Sequence, residues 1–159
     1  MTPLLAAMIL QSAAQVWHPM LTFSAHPELR RVTTQVEVGF LPDMAGASQY
    51  WFRKTVTPDG GKIVETAWTD TRSCPAARPL LENLARLEAP HPHLPGLDGN
   101  NDIAITMDGV TYRLDADSAP PFGGGRLVLR TNVGTPLAQW VESALTGLAA
   151  CWKPTPPDR

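Results

Sequence analysis

The strongest constraint on the fold is an apolar stripe near the C-terminus that has the spacing of a helix. Thr135 is a favourable N-cap residue, and Pro136 suits the first helical position. Apolar residues then recur every three or four positions, so we predict a helix over about 136–150. Continued by one turn, the stripe places Cys151 on the buried side. Its other members are Leu137, Trp140, Val141, Ala144, Leu145 and Leu148.

A second helical stripe follows Cys74. Pro79 would remove a backbone hydrogen bond inside a helix, and it disfavours helical geometry at Arg78. We therefore predict a helix over about 79–88, with Cys74 on a turn before it. The stripe consists of Leu80, Leu81, Leu84 and Leu87.

Two segments alternate apolar and polar residues around a turn signal, as hairpins do. Residues 49–71 turn at Asp59-Gly60, and residues 102–115 turn at Asp108-Gly109. The second hairpin gathers Ile103, Ile105, Met107, Val110, Tyr112 and Leu114 on one face. In the first, the predicted register places Trp51 opposite Trp68, Lys54 opposite Glu65 and Val56 opposite Ile63.

Single strands are predicted over 35–40 and 126–132, whereas residues 15–31 fit an edge strand followed by a loop. The fold class is therefore α+β. We expect an antiparallel sheet of about five to six strands with both helices packed on one face, in an order of roughly βββα-βββα.

The N-terminus has features of an export signal. Residues 1–14 contain no charged side chain, hold an apolar run from Leu4 to Leu10, and end in small residues. This pattern predicts cleavage before Gln15, although no basic residue precedes the apolar run. The alternative is a short N-terminal core helix. We predict a signal peptide over 1–14, one domain over 15–152 and a flexible tail over 153–159, in a periplasmic or secreted protein.

Composition excludes some classes of protein. The chain has 159 residues, of which 43% are hydrophobic and 18% charged, and this indicates one globular domain. Thirteen basic and fifteen acidic residues give a net charge of −2. Because a basic excess is missing, binding to nucleic acid is disfavoured. The apolar run is too short to cross a bilayer.

The two cysteines have opposite interpretations. An oxidising compartment favours a disulfide between Cys74 and Cys151. The alternative is that Cys74 is a nucleophile activated near a helix N-terminus. Arg78 follows it after three residues, whereas the phosphate loops that pair a cysteine with an arginine need five. The disulfide is therefore the favoured interpretation.

Other motifs do not predict a metal site. His91 and His93 alternate with prolines, and no further ligand lies at a usual spacing. The segment from Asp98 resembles a calcium loop at its start, but Ile103 stands where that loop requires glycine. No metal or cofactor is therefore predicted.

The first hairpin offers a candidate binding surface. One face carries Trp51, Arg53 and Trp68, and exposed tryptophan and arginine are typical of interaction hot spots. The alternative is that the N-terminal segment, with Trp17 and Phe23, covers this face.

These features favour a small exported binding or interaction module over an enzyme. Its partner would be an envelope protein or a small ligand. The alternative function is a small thiol-dependent or hydrolase-like enzyme that uses Cys74.

Overall fold

The α+β class is confirmed by a computed structural model, which describes residues 17–41, 48–88, 109–117 and 124–158. A six-stranded antiparallel sheet has the strand order β4-β3-β2-β1-β5-β6. The strands are β1 (Leu21–Pro27), β2 (Val32–Leu41), β3 (Gln49–Pro58), β4 (Glu65–Asp70), β5 (Val110–Asp117) and β6 (Arg126–Thr131). The helices are α1 (Ala77–Ala85) and α2 (Pro136–Gly147), and a short 3-10 turn (Ala149–Cys151) follows α2.

The first strand lies inside the sheet rather than at its edge. Leu21, Phe23 and Ala25 of β1 are all buried, and the strand pairs with β2 on one side and β5 on the other. The prediction of an edge strand over 15–31 was therefore wrong. Four described strands precede α1 and two lie between the helices, so the predicted order is only roughly matched.

The β3–β4 hairpin forms, but its register is two residues away from the predicted one. Trp51 lies opposite Asp70, and Arg53 lies opposite Trp68. The connection is longer than a tight turn, because β4 begins only at Glu65. A shift of two residues preserves the faces, since side chains alternate with a period of two. Trp51, Arg53 and Trp68 therefore share one face, as predicted, and Tyr50, Phe52 and Ala67 belong to the helix side.

The second predicted hairpin is confirmed only in its second strand. Val110, Tyr112 and Leu114 share the inward face of β5 as expected, while the predicted first strand over 102–107 lies outside the described residues. Both neighbours of β5 in the described sheet come from elsewhere in the chain, β1 on one side and β6 on the other.

Both helices pack on the same side of the sheet. Helix α1 begins at Ala77, two residues earlier than predicted, because Pro79 lies in the first turn, where the backbone N–H groups need no helical partner. In α2 the Thr135 hydroxyl accepts a hydrogen bond from the Ala138 N–H at 3.2 Å, which confirms the predicted cap. The buried core they share includes Phe23, Val36, Val38, Phe52, Leu114, Trp140, Val141 and Leu148.

Tyr112 connects the sheet to α2 through a polar contact. Its hydroxyl donates a hydrogen bond to Glu142 Oε1, while the ring is buried in the core. Burial, the hydrogen bond to Glu142 and the charge of that carboxylate raise the pKa of Tyr112 to about 12.

We therefore expect Tyr112 to ionise at about pH 12 in the folded chain, because the fold favours its protonated form. The stability that this shift contributes is complete below about pH 10, the ordinary pKa of tyrosine, and is lost as the pH rises through about 12. Absorbance of tyrosinate measures the step directly. The Tyr112→Phe variant should lack it, and a Tyr112 step near pH 10 in the folded protein would contradict the assignment.

Candidate functional site

Three tryptophans form a compact cluster on the side of the sheet opposite the helices. Trp17 packs on Trp51 and Trp68, with ring centroids 5.2 and 5.0 Å apart. As a result Trp51 is only 1% exposed and Trp68 8%. Gly39 is required beneath this cluster, because a Cβ there would lie 2.3 Å from Cζ2 of Trp51. The tryptophans therefore form a small second core.

Of the three residues in the predicted binding surface, Arg53 is the one whose side chain remains accessible. Trp17 covers Trp51 and Trp68, as the alternative interpretation of the sequence expected. Phe23 does not take part, since it packs against Trp140 on the opposite side of the sheet. Arg53 remains about one third exposed, with its guanidinium carbon 5.4 Å from the ring centre of Trp68.

Charged side chains continue across the same open face. Arg53 Nε donates a hydrogen bond to Glu37 at 2.7 Å. On β5, Arg113 Nε donates to Asp115 at 2.5 Å, and Arg126 Nε donates to the same carboxylate at 3.2 Å. The hydrogen bond from Arg113 lowers the pKa of Asp115, although burial opposes the shift. Each of these arginines is therefore paired with a carboxylate.

The predicted disulfide is confirmed. The sulfur atoms of Cys74 and Cys151 are bonded across 77 residues, and their Cα atoms are 5.6 Å apart. Cys74 is completely buried. Both cysteines of the chain are used in this bond, which leaves no thiol to act as a nucleophile.

The disulfide also brings the C-terminal segment to the edge of the sheet. Lys153 follows Cys151 by two residues and forms a bridge with Trp68 on the outer side of β4. Its N–H donates to the Trp68 carbonyl at 2.8 Å, and the Trp68 N–H donates to the Lys153 carbonyl at 2.7 Å. Farther along, Arg72 Nη2 donates to the carbonyl of Asp158. Residues 153–158 therefore contact the β4 side of the sheet at Lys153 and the turn after β4 at Asp158.

A cleft of about 390 Å³ opens between this segment and the sheet. Its walls are the end of β4, the turn before Cys74 and residues 153–158. Such a volume lies within the range of small-molecule sites. The residues that line the cleft include Trp68, Thr69, Arg72, Ser73, Lys153 and Thr155.

Asp70 fixes the turn that forms one wall. Its carboxylate accepts hydrogen bonds from the backbone N–H groups of Arg72 and Ser73 at 2.9 and 2.7 Å, and from Arg72 Nη2 at 3.0 Å. Burial raises the pKa of Asp70, but these hydrogen bonds outweigh burial and lower it overall. The ionised carboxylate therefore holds Arg72 and Ser73 in place through these hydrogen bonds.

Thr69, a residue beside this cleft, has an unpartnered side chain within the described ranges. Its residue is 2% exposed, and its hydroxyl has no hydrogen-bond partner in the part of the chain that the structure describes. An unsatisfied buried hydroxyl costs about 1–3 kcal/mol. The hydroxyl lies on the helix side of β4, because Thr69 pairs with Phe52, and it is itself buried, so a ligand in the open cleft does not reach it.

Among the histidines, His26 has described side-chain contacts with a hydroxyl and two carboxylates. His26 Nδ1 lies 2.9 Å from the Thr33 hydroxyl and 3.7 Å from the carboxylate of Asp59, and Nε2 lies 3.8 Å from the carboxylate of Glu28. Among the described residues, no group of three or more acidic, histidine or cysteine side chains could hold a metal ion. His91, His93 and the segment that resembles a calcium loop lie outside the described residues.

Comparison with known protein families, with curated proteins and with solved structures finds no match to this chain. Within the described ranges, no helix is long and apolar enough to cross a membrane.

The sequence prediction missed the cleft. A disulfide at Cys151 must bring residues 152 and 153 close to Cys74, and Cys74 follows β4 by only four residues. That spacing could have placed the C-terminal segment beside β4. The unpartnered hydroxyl of Thr69 has no counterpart in the sequence pattern, since an alternating strand does not show which polar side chain lacks a partner.

Proposed function

We propose that this protein is a small exported binding module, located in the periplasm or secreted, whose fold is stabilised by the disulfide. One observation carries the proposal: both cysteines of the chain are joined in a single disulfide. Proteins of the reducing cytosol rarely keep such bonds. The uncharged apolar segment over 1–14, which fits a cleaved signal peptide, supports the same compartment.

The binding surface is centred on Arg53, next to the edge cleft that Trp68 helps to line. Arg53 offers an accessible guanidinium, and Trp68 reaches from the open face to the edge cleft. Trp51 supports Trp68 from below as part of the tryptophan cluster. An envelope protein or a small ligand would suit this surface, and the cleft favours a small ligand because it is concave and of ligand size.

A thiol enzyme has no observation in its favour. Its nucleophile would be Cys74, which is oxidised and completely buried. The thiolate, not the disulfide, is the nucleophilic form of cysteine. The binding role is therefore the only function that we propose.

Export is tested by expressing the full chain in a Gram-negative bacterium and fractionating the cells. We expect a mature chain that begins at Gln15 in the periplasm or the medium. The matched control is a chain with Leu5→Arg and Ile9→Arg, which interrupts the apolar run and should remain in the cytoplasm with residues 1–14 attached. An unprocessed wild-type chain found only in the cytoplasm would contradict the proposal.

A further inference from the structure

We propose that β6 is a docking edge for an extended segment of a partner protein in which acidic and apolar residues alternate. The partner strand would extend the sheet at β6, the edge opposite to β4. This inference goes beyond the proposed binding role, because the site shares no residue with the surface around Arg53 or with the cleft. It depends on three features of β6: a free backbone edge, an apolar side and a basic side.

The two edges of the sheet differ in what covers them. At β4 the C-terminal segment bridges the outer side of the strand, where Lys153 and Trp68 exchange two backbone hydrogen bonds. At β6, which is the last strand in the sheet order, no described segment pairs with the outer side. The free N–H and C=O groups of this edge are therefore open to an added strand, which is how sheet edges bind extended peptides.

The side of β6 that faces the helices is apolar and incompletely covered. Leu129 lies opposite Leu114 of β5, so Leu127 and Leu129 share the face that carries the core. Leu127 is nevertheless 45% exposed. A pocket of about 160 Å³ lies beside both leucines, and Leu84 and Leu87 at the end of α1 form another of its walls. Because every second side chain of a strand points to the same face, the apolar residues of an added strand would extend the core over this pocket.

The open side of β6 is basic, and its positive charge is only partly balanced. Arg113 and Arg126 both donate to Asp115, and Asp117 lies opposite Arg126. Arg130, by contrast, is exposed, lies opposite Arg113 and has no ion pair within the described ranges. Like charges that face each other on neighbouring strands destabilise a sheet. An acidic side chain on an added strand would offset this repulsion and pair with Arg130.

A second copy of this chain is a poorer occupant of the edge. The antiparallel register that brings the apolar residues of two β6 strands together is centred on Val128. That register would also place each Arg126 opposite an Arg130, and two such pairs of like charges would repel the copies. The same arginines favour an acidic strand, so β6 selects its partner by charge as well as by its apolar side.

The test is the binding of two synthetic peptides to the purified, disulfide-bonded chain, measured by fluorescence anisotropy and by NMR. One peptide alternates valine with glutamate over about eight residues, a common strand length, and the other alternates valine with lysine. We expect saturable binding of the glutamate peptide, about tenfold tighter than that of the lysine peptide, because its contacts with the arginines are charge-assisted. Alternate backbone amides of β6 should exchange more slowly with solvent in the complex, because they gain hydrogen-bond partners.

Arg130→Glu tests whether charge on β6 selects the partner. This variant should prefer the lysine peptide, while its free energy of unfolding without peptide should stay equal or rise, because the repulsion with Arg113 is removed. Leu127→Asp should abolish the binding of both peptides, since it places a charge beside the apolar pocket. The matched control is Arg30→Glu, an exposed position in the turn between β1 and β2, which should leave both affinities unchanged.

Equal affinity for the two peptides, an unchanged preference in Arg130→Glu, or binding that survives Leu127→Asp would overturn the proposal. Slow exchange of consecutive β6 amides before any peptide is added would overturn it too. That result would mean that residues 102–107 of the chain or a second copy already pair with β6, and sedimentation distinguishes the two. None of these results depends on where the chain is located, so failure here is distinguishable from failure of the export experiment.

Discussion

Replacing both Cys74 and Cys151 with alanine should lower the free energy of unfolding by about 4 kcal/mol. In the chain-entropy description, a bond that closes so long a loop restricts the unfolded chain strongly. The separation is 77 residues. Guanidinium unfolding followed by tryptophan fluorescence measures the loss. The same change should free the segment from Lys153 onward, since the disulfide fixes its start.

Reduction provides the matched control for this prediction. Dithiothreitol should destabilise the wild type to a similar extent and leave the double alanine variant unchanged, because only the wild type has a bond to lose. A double variant as stable as the oxidised wild type would show that the disulfide contributes nothing to the fold.

Trp51→Ala should lower the free energy of unfolding by about 3–5 kcal/mol, which is the usual cost of truncating a buried aromatic residue. Trp51 is 1% exposed and contacts the rings of Trp17 and Trp68. Any loss of binding in this variant would therefore follow from unfolding. The measurement is again guanidinium unfolding, followed by far-ultraviolet circular dichroism because a tryptophan is removed.

The neighbouring Arg53→Ala variant is the control for Trp51→Ala. Arg53 points to the same face but is partly exposed, and exposed ion pairs contribute about 0–1 kcal/mol. We expect this variant to remain folded. Equal stability of the two variants would mean that the tryptophan cluster is not a second core.

The fold could be predicted from the sequence where one local pattern determined the outcome. Helix α2 is the clearest case, since Thr135 caps it and its stripe leads to Cys151. The side-chain faces of β3 and β4 were also correct, because the alternation of Tyr50, Phe52 and Trp51 survives any shift of two residues.

The register of that hairpin depends on tertiary contacts that the sequence does not show. The Asp59 N–H donates to the carbonyl of Arg31, in the turn between β1 and β2, at 2.9 Å. This hydrogen bond connects the turn between β1 and β2 with the turn after β3. The connection from that second turn to β4 is longer than the predicted one. The predicted pair of Lys54 and Glu65 nevertheless forms, because the lysine reaches diagonally to the carboxylate at 2.6 Å.

The position of β1 could not be predicted for a different reason. An antiparallel strand with one buried face shows the same alternation at the centre of a sheet as at its edge. Only its pairing with β2 and β5 identifies β1 as an inner strand.

The residue types at the candidate site did not predict which of its side chains are exposed. Tryptophan and arginine on one hairpin face predicted an exposed surface, but exposure depends on the segment that packs over it. Trp17 is 34 residues before Trp51 in sequence and covers it in the structure. Arg53 remains accessible, and the cleft beside Trp68 arises from a disulfide between distant segments.

The central claim is that the cell exports this chain and joins its two cysteines there. The most direct measurement is intact mass after cells are quenched with acid and the denatured protein is treated with a thiol-alkylating reagent. We predict a mature chain beginning at Gln15 that carries no alkyl group, and that gains one on each of its two cysteines only after reduction. A chain alkylated at both Cys74 and Cys151 before reduction would contradict the claim.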